Sequence, residues 1–170
     1  PIERIKELTG GKGAELVVEA SGHDPNAAAT IGHCLVWIER HDEARRIFES
    51  QLEAARSAGS LGVVPFLAAC LSELDYRVGN WGAANAGAVE SVRLAEATNQ
   101  LNLLSFSLVT LARLQAARGV EVACRTNVER ALELASRLGV GSITVYGASA
   151  LGLLELGVGH IDDAIDRLSR

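Results

Sequence analysis

Two stretches, Leu111-Ala-Arg-Leu-Gln-Ala-Ala-Arg-Gly-Val-Glu-Val-Ala-Cys124 and Leu151-Gly-Leu-Leu-Glu-Leu-Gly-Val-Gly-His-Ile-Asp-Asp-Ala164, lie forty residues apart and superpose column by column. A large aliphatic residue stands at Leu111 and Leu151, a small one at Ala112 and Gly152, and a glycine at Gly119 and Gly159. A second small residue follows at Cys124 and Ala164. The same columns recur forty residues upstream as Leu71, Ser72, Gly79 and Ala84, and once more as Ile31, Gly32, Glu39 and Ala44. Cys34, Leu74, Leu114 and Leu154 form another column, and Gly59, Asn99 and Gly139 a further one. Several columns held in phase over three intervals mark an internal repeat.

Each unit divides into two helices. The first helices are expected at 26–39, 62–78, 101–118 and 142–158, and the second at 42–58, 81–98, 121–138 and from 161 onward. Glycine and asparagine tolerate the left-handed backbone that ends a helix, so the Gly59, Asn99, Gly139 column predicts helix C-termini. Asp42, Asn80 and Asp162 are caps or first-turn residues for the second helices. Short links make neighbouring helices antiparallel. Neither helix of a pair buries its apolar stripe alone, so the expected fold is all-α, a right-handed solenoid of about four helical hairpins over residues 25–170.

Composition agrees. Apolar residues make up 48% of the chain and aromatics only 4%, so small and aliphatic side chains pack the helices closely. None of the three prolines falls after Pro65, which permits long helices there. The net charge is −5 and no Lys/Arg block exists, which argues against direct nucleic-acid binding. No apolar run has the length of a membrane span, and the N-terminus lacks the apolar core of a signal peptide. A cytoplasmic protein is expected. Cys34, Cys70 and Cys124 form no metal motif and are expected as buried free thiols. The chain has no methionine, as in a processed product or a piece of something larger.

The unit resembles the tetratricopeptide repeat (TPR). That resemblance implies contacts between small residues of the two helices, matching Gly32 with Ala44, Ser72 with Ala84, Ala112 with Cys124, and Gly152 with Ala164. The period is forty rather than thirty-four, and of the aromatic positions only Phe48 and Trp81 are filled as in that family. Longer alanine-rich repeats of this kind are similar to the sensor region of large LuxR-type (MalT-like) ATPase transcription regulators. The stretches Leu35–Ala44, Ala112–Gly119 and Leu151–Gly159 carry the likeness. It implies a role in gene regulation, although the ATPase module and DNA-binding helix-turn-helix of those regulators are not in this chain.

Residues 1–24 stand outside the repeat as an N-terminal segment. A helix at 2–8, a turn from Thr9 and a strand over Leu16–Gly22 resemble a piece of the medium-chain alcohol dehydrogenase cofactor domain. The dinucleotide loop GxGxxG is missing, so NAD binding is not implied. Gly10-Gly-Lys-Gly13 lacks the spacing and the Ser/Thr of a phosphate loop. Without a partner strand, this segment is expected to be mobile or to cap the first hairpin.

The first candidate chemistry lies at helix starts. Arg40-His41-Asp42-Glu43 and His160-Ile161-Asp162-Asp163 open second helices. His41, Asp42, His160 and Asp162 are the candidate catalytic residues. Asp162, Asp163 and Asp166 share a face and are candidate ligands for a divalent metal. Acids in a first helical turn also complement the helix dipole, which explains them without a metal. No cofactor is required by this pattern. His23, Asp24 and His33 form a lesser cluster, and Ser149 sits in an incomplete GxSxG inside a helix, as a packing residue. Of the tryptophans and tyrosines, Trp37, Tyr76, Trp81 and Tyr146, the last three cluster near hairpin turns or helix starts.

In solenoids the first helices line the concave face. Glu73, Tyr76, Arg77, Arg113 and Arg118 are therefore the candidate groove residues, and a protein, peptide or small effector the expected partner. A non-catalytic interaction or sensor module follows. The alternative is a small hydrolase of an amphiphilic ester or lactone, with a His/Asp cluster, with or without a divalent ion, activating water. A third reading is a truncated or fused gene product. The last second helix, with Ile161, Ile165 and Leu168, lacks a polar cap, as do Leu153 and Leu156 facing it; self-association through that end is expected.

Overall fold

The structure, a computed structural model, describes residues 25–169, and among these every regular element is an α-helix. They are α1 (Pro25–Trp37), α2 (His41–Ser57), α3 (Val64–Arg77), α4 (Trp81–Ala97), α5 (Leu101–Ala117), α6 (Glu121–Leu138), α7 (Ser142–Val158) and α8 (Ile161–Leu168). The helix boundaries fall within two residues of those expected from the forty-residue columns. The strand over Leu16–Gly22, the glycine-rich turn and the His23/Asp24 pair lie outside the described residues. No described helix is long and apolar enough to cross a membrane.

The described chain divides into two compact units, split after Gly59. In the first, α1 packs on α2. In the second, each helix packs on the next in sequence, and α3 also touches α5, as α5 touches α7. Phe66 meets Phe106, and Glu73 meets Arg113. Both pairs are forty residues apart, so α3 and α5 run parallel and in register. The two kinds of helix are buried differently. α3 and α5 are buried over most of their circumference. α2 buries one stripe, Ala44, Phe48, Leu52 and Ala55, at helical spacing.

The small column lets helices approach. Ala44, Ala84, Cys124 and Ala164 are all fully buried. The Ser72 hydroxyl donates to the Ala84 carbonyl at 2.7 Å, so this pair meets across the hairpin. Ala112 and Cys124 share one core cluster with Val128, Ala150 and Leu154. A Cβ at Gly32 would stand 2.6 Å from the Phe48 ring, and one at Gly152 2.7 Å from Leu168. Cys70 and Cys124 are buried as expected, but Cys34 is exposed. Its column is a buried leucine at 74, 114 and 154, whereas at Cys34 no described residue completes the cover.

Five of the seven described turns close with one repeated hydrogen-bond pattern. Gly79 N–H donates to the Tyr76 carbonyl and Asn80 N–H to the Asp75 carbonyl, a Schellman closure. The same two bonds recur at Glu39/Arg40, Asn99/Gln100, Gly119/Val120 and Gly159/His160. The residue that ends each closure carries a left-handed φ. The next residue then opens the following helix. Arg40, Asn80, Val120 and His160 stand at those N-caps without a side-chain cap bond. Asn80 thus occupies a cap position without capping through its side chain, while Asp42 and Asp162 lie in first turns.

Candidate functional site

Three parallel first helices, α3, α5 and α7, place a row of aromatic rings side by side. Phe66 and Phe106 have centroids 5.7 Å apart, and Phe106 and Tyr146 5.8 Å, the second pair edge to face. All three rings are half-buried. Phe106 and Tyr146 rest on the core of Leu104, Leu108 and Ile143. Such ring pairs are worth about 0.5–1.5 kcal/mol beyond their burial.

The C-terminal halves of α3 and α5 hold an ion triad. Glu73 Oε1 accepts from Arg77 Nε at 2.7 Å and from Arg113 Nη1 at 2.9 Å. Glu73 is only 8% exposed; a carboxylate this buried needs such partners. The Arg113 guanidinium lies over the Tyr76 ring, 5.5 Å from its centroid, and Tyr76 touches Trp81 at 6.1 Å. Burial pushes the Tyr146 phenol above its ordinary pKa; the Glu73 carboxylate and Cys70 add to this, and Arg113 and Arg77 oppose it. The aromatic row and the triad are therefore within electrostatic reach of each other.

The structure brings together four of the five expected groove residues, Glu73, Tyr76, Arg77 and Arg113. Arg118 instead donates to Asn85 on α4 at 3.2 Å. Glu73 is buried at the centre of the triad rather than decorating a surface. Phe66 and Phe106 were not among the sequence candidates, although they share the forty-residue phase of Tyr146.

A second polar cluster joins α6, α7 and α8. Glu155, buried near the end of α7, accepts from Arg125 at 2.8 Å and meets His160 Nδ1 at 3.1 Å and Arg167 at 3.6 Å. Arg125 also binds Glu121. The Arg125 hydrogen bond holds the Glu155 carboxyl below the usual carboxylate range; burial opposes this and His160 assists it. Glu155, His160 and Asp163 offer ligand atoms within 4.8 Å of one another. Asp162 and Asp166 are not in that group, and Asp166 lines a cleft of about 250 Å³ with Leu132, Thr144, Ala148, Leu151 and Arg167. A divalent ion takes several oxygen ligands. Here both Glu155 oxygens already serve cationic or ring N–H partners, so the donor set fits an ion-pair network better than a metal.

The remaining candidates lie apart from these clusters. His41 opens α2 with its Nε2 buried and unpartnered among the described residues, and the Asp42 carbonyl accepts from Arg46. His33 contacts Trp37 one turn on. Burial, with Glu73 adding, drives the Cys70 thiol far above its ordinary pKa, and burial raises Cys124. Neither is an activated nucleophile. Ser149 lies within α7. Comparison of the chain with family models, with curated proteins and with solved structures returned no match.

Proposed function

We propose that this chain is a non-catalytic sensor or interaction module. Its hairpins form a TPR-like, right-handed solenoid, and its first helices present a groove to a protein, peptide or small effector. The observation that carries this reading is the Phe66–Phe106–Tyr146 row beside the Glu73–Arg77–Arg113 triad. Half-buried rings and a charged cluster on parallel, in-register helices form a preorganised surface. Binding there costs little ordering entropy. The likeness to the sensor region of LuxR-type regulators supports an effector-sensing role inside the cytoplasm.

The hydrolase alternative rests on the Glu155, His160 and Asp163 grouping. It requires a free general base and a water site, whereas Glu155 is engaged by Arg125 and His160. A thermal-shift screen of peptides, acyl esters, lactones and divalent ions separates the two. The module reading expects a hit that survives His160→Ala and is lost in Phe106→Ser. A hit that turns over and loses turnover in His160→Ala would establish the hydrolase instead.

A further inference from the structure

The distribution of charge along the groove specifies a ligand class. The triad carries one carboxylate and two guanidinium groups, so it holds a net positive charge beside an apolar strip. Asp75, two residues beyond Glu73, falls on another side of α3. The two guanidinium groups share one oxygen of Glu73. Arg113 commits Nη1 to Glu73 and its face to Tyr76. An arginine has five N–H donors. The remaining Arg113 donors have no protein partner among the described residues, and that side chain is 23% exposed. A carboxylate is the group that matches such a fork. The aromatic row is three rings long, one ring on each of α3, α5 and α7, and Arg113 follows Phe106 by seven residues on the same face of α5, about 10 Å along its axis. One apolar tail with one anionic head fits this better than an extended peptide, which would need a longer track.

We propose that the groove binds a free small-molecule carboxylate with an apolar or aromatic tail, the carboxylate on Arg113 and the tail reaching along α5 to Phe106, where Phe66 and Tyr146 flank it. This rests on the groove reading above. Arg113 selects the head by charge-assisted hydrogen bonds. The rings select for apolar length and discriminate little between acyl and aryl tails.

The test is calorimetric titration of the 170-residue chain with octanoate, octanol and octylamine. Octanoate is expected to bind at least about ten-fold more tightly than either analogue. Raising the salt to about 0.5 M should weaken octanoate and leave octanol unchanged; this arm needs no variant. In Arg113→Gln, with its helix content checked by circular dichroism, octanoate should fall to the octanol level. Octanoate that fails to bind, or binds no more tightly than octanol, overturns the proposal. If octanol binding is then abolished by Phe106→Ser, the groove reading survives without the carboxylate. Octanoate binding unaffected by both Arg113→Gln and Phe106→Ser sinks both. A peptide that binds through its C-terminal carboxylate more tightly than octanoate would replace the small molecule as ligand.

Discussion

Glu39 holds the column that glycine fills at 79, 119 and 159, and it adopts their left-handed backbone, with φ of 62°. An L side chain in that conformation crowds the following carbonyl, at about 1–2 kcal/mol. Glycine at this position removes the strain but widens the unfolded ensemble. Glu39→Gly is therefore expected to stabilise the first hairpin by about 0.5–1 kcal/mol. The reverse change, Gly119→Ala, should cost about 1 kcal/mol in the second unit. Urea unfolding of the three proteins reads both. A Glu39→Gly variant less stable than the parent would contradict the strain account.

At the scale of helices, Glu155 ties α7 to α6 and α8 through Arg125, Arg167 and His160. Its folded pKa lies below the unfolded value, so the folded state favours the carboxylate. The resulting stabilisation is complete above about pH 4.3, the ordinary glutamate value. It is lost as pH falls through the lower folded value, where both states bind the proton. The gap in Tm between the parent and Glu155→Gln should be widest near neutrality and close in acid. A gap that stays constant from pH 7 to pH 3 would show that the charge of Glu155 contributes nothing. The helices themselves were legible in the sequence because glycine and small residues recur at fixed phase, and the physics of caps and close packing limits what those columns accept. The all-helical fold followed from that. The site was less legible. Phe66 and Phe106 lie in apolar helices, where residue type does not separate a half-buried ring from a core ring; their shared phase with Tyr146 marks a column but not its exposure, since the buried column Leu74, Leu114 and Leu154 has the same period. Glu73 reads as a surface acid, and Glu155 carries no signal of its own, because their burial depends on arginines forty and thirty residues away.

In the α7–α8 hairpin, Leu156 and Leu168 are exposed at positions that are buried in the α5–α6 hairpin. Val128 is fully buried against α7, while Leu168, forty residues on, is 54% exposed. Ala116 is buried and Leu156 is 51% exposed; Ile161 and Ile165 are more exposed still. Together these leave an apolar face on α7 and α8 that water covers poorly. The 170-residue chain is expected to show a mass that rises with concentration in sedimentation, and Ile161→Lys with Ile165→Lys should abolish the rise. A monomer mass at every concentration would contradict self-association through this face. The proposed groove carries a direct probe of its own. Both of the chain's tyrosines, Tyr76 and Tyr146, border that surface. Fluorotyrosine labelling therefore gives two ¹⁹F NMR signals, both reporting there. A ligand that shifts the melting temperature is predicted to move at least one of them, with the Tyr146 signal responding to the apolar tail. A ligand that stabilises the protein while leaving both signals unmoved would place the binding site elsewhere and contradict the account.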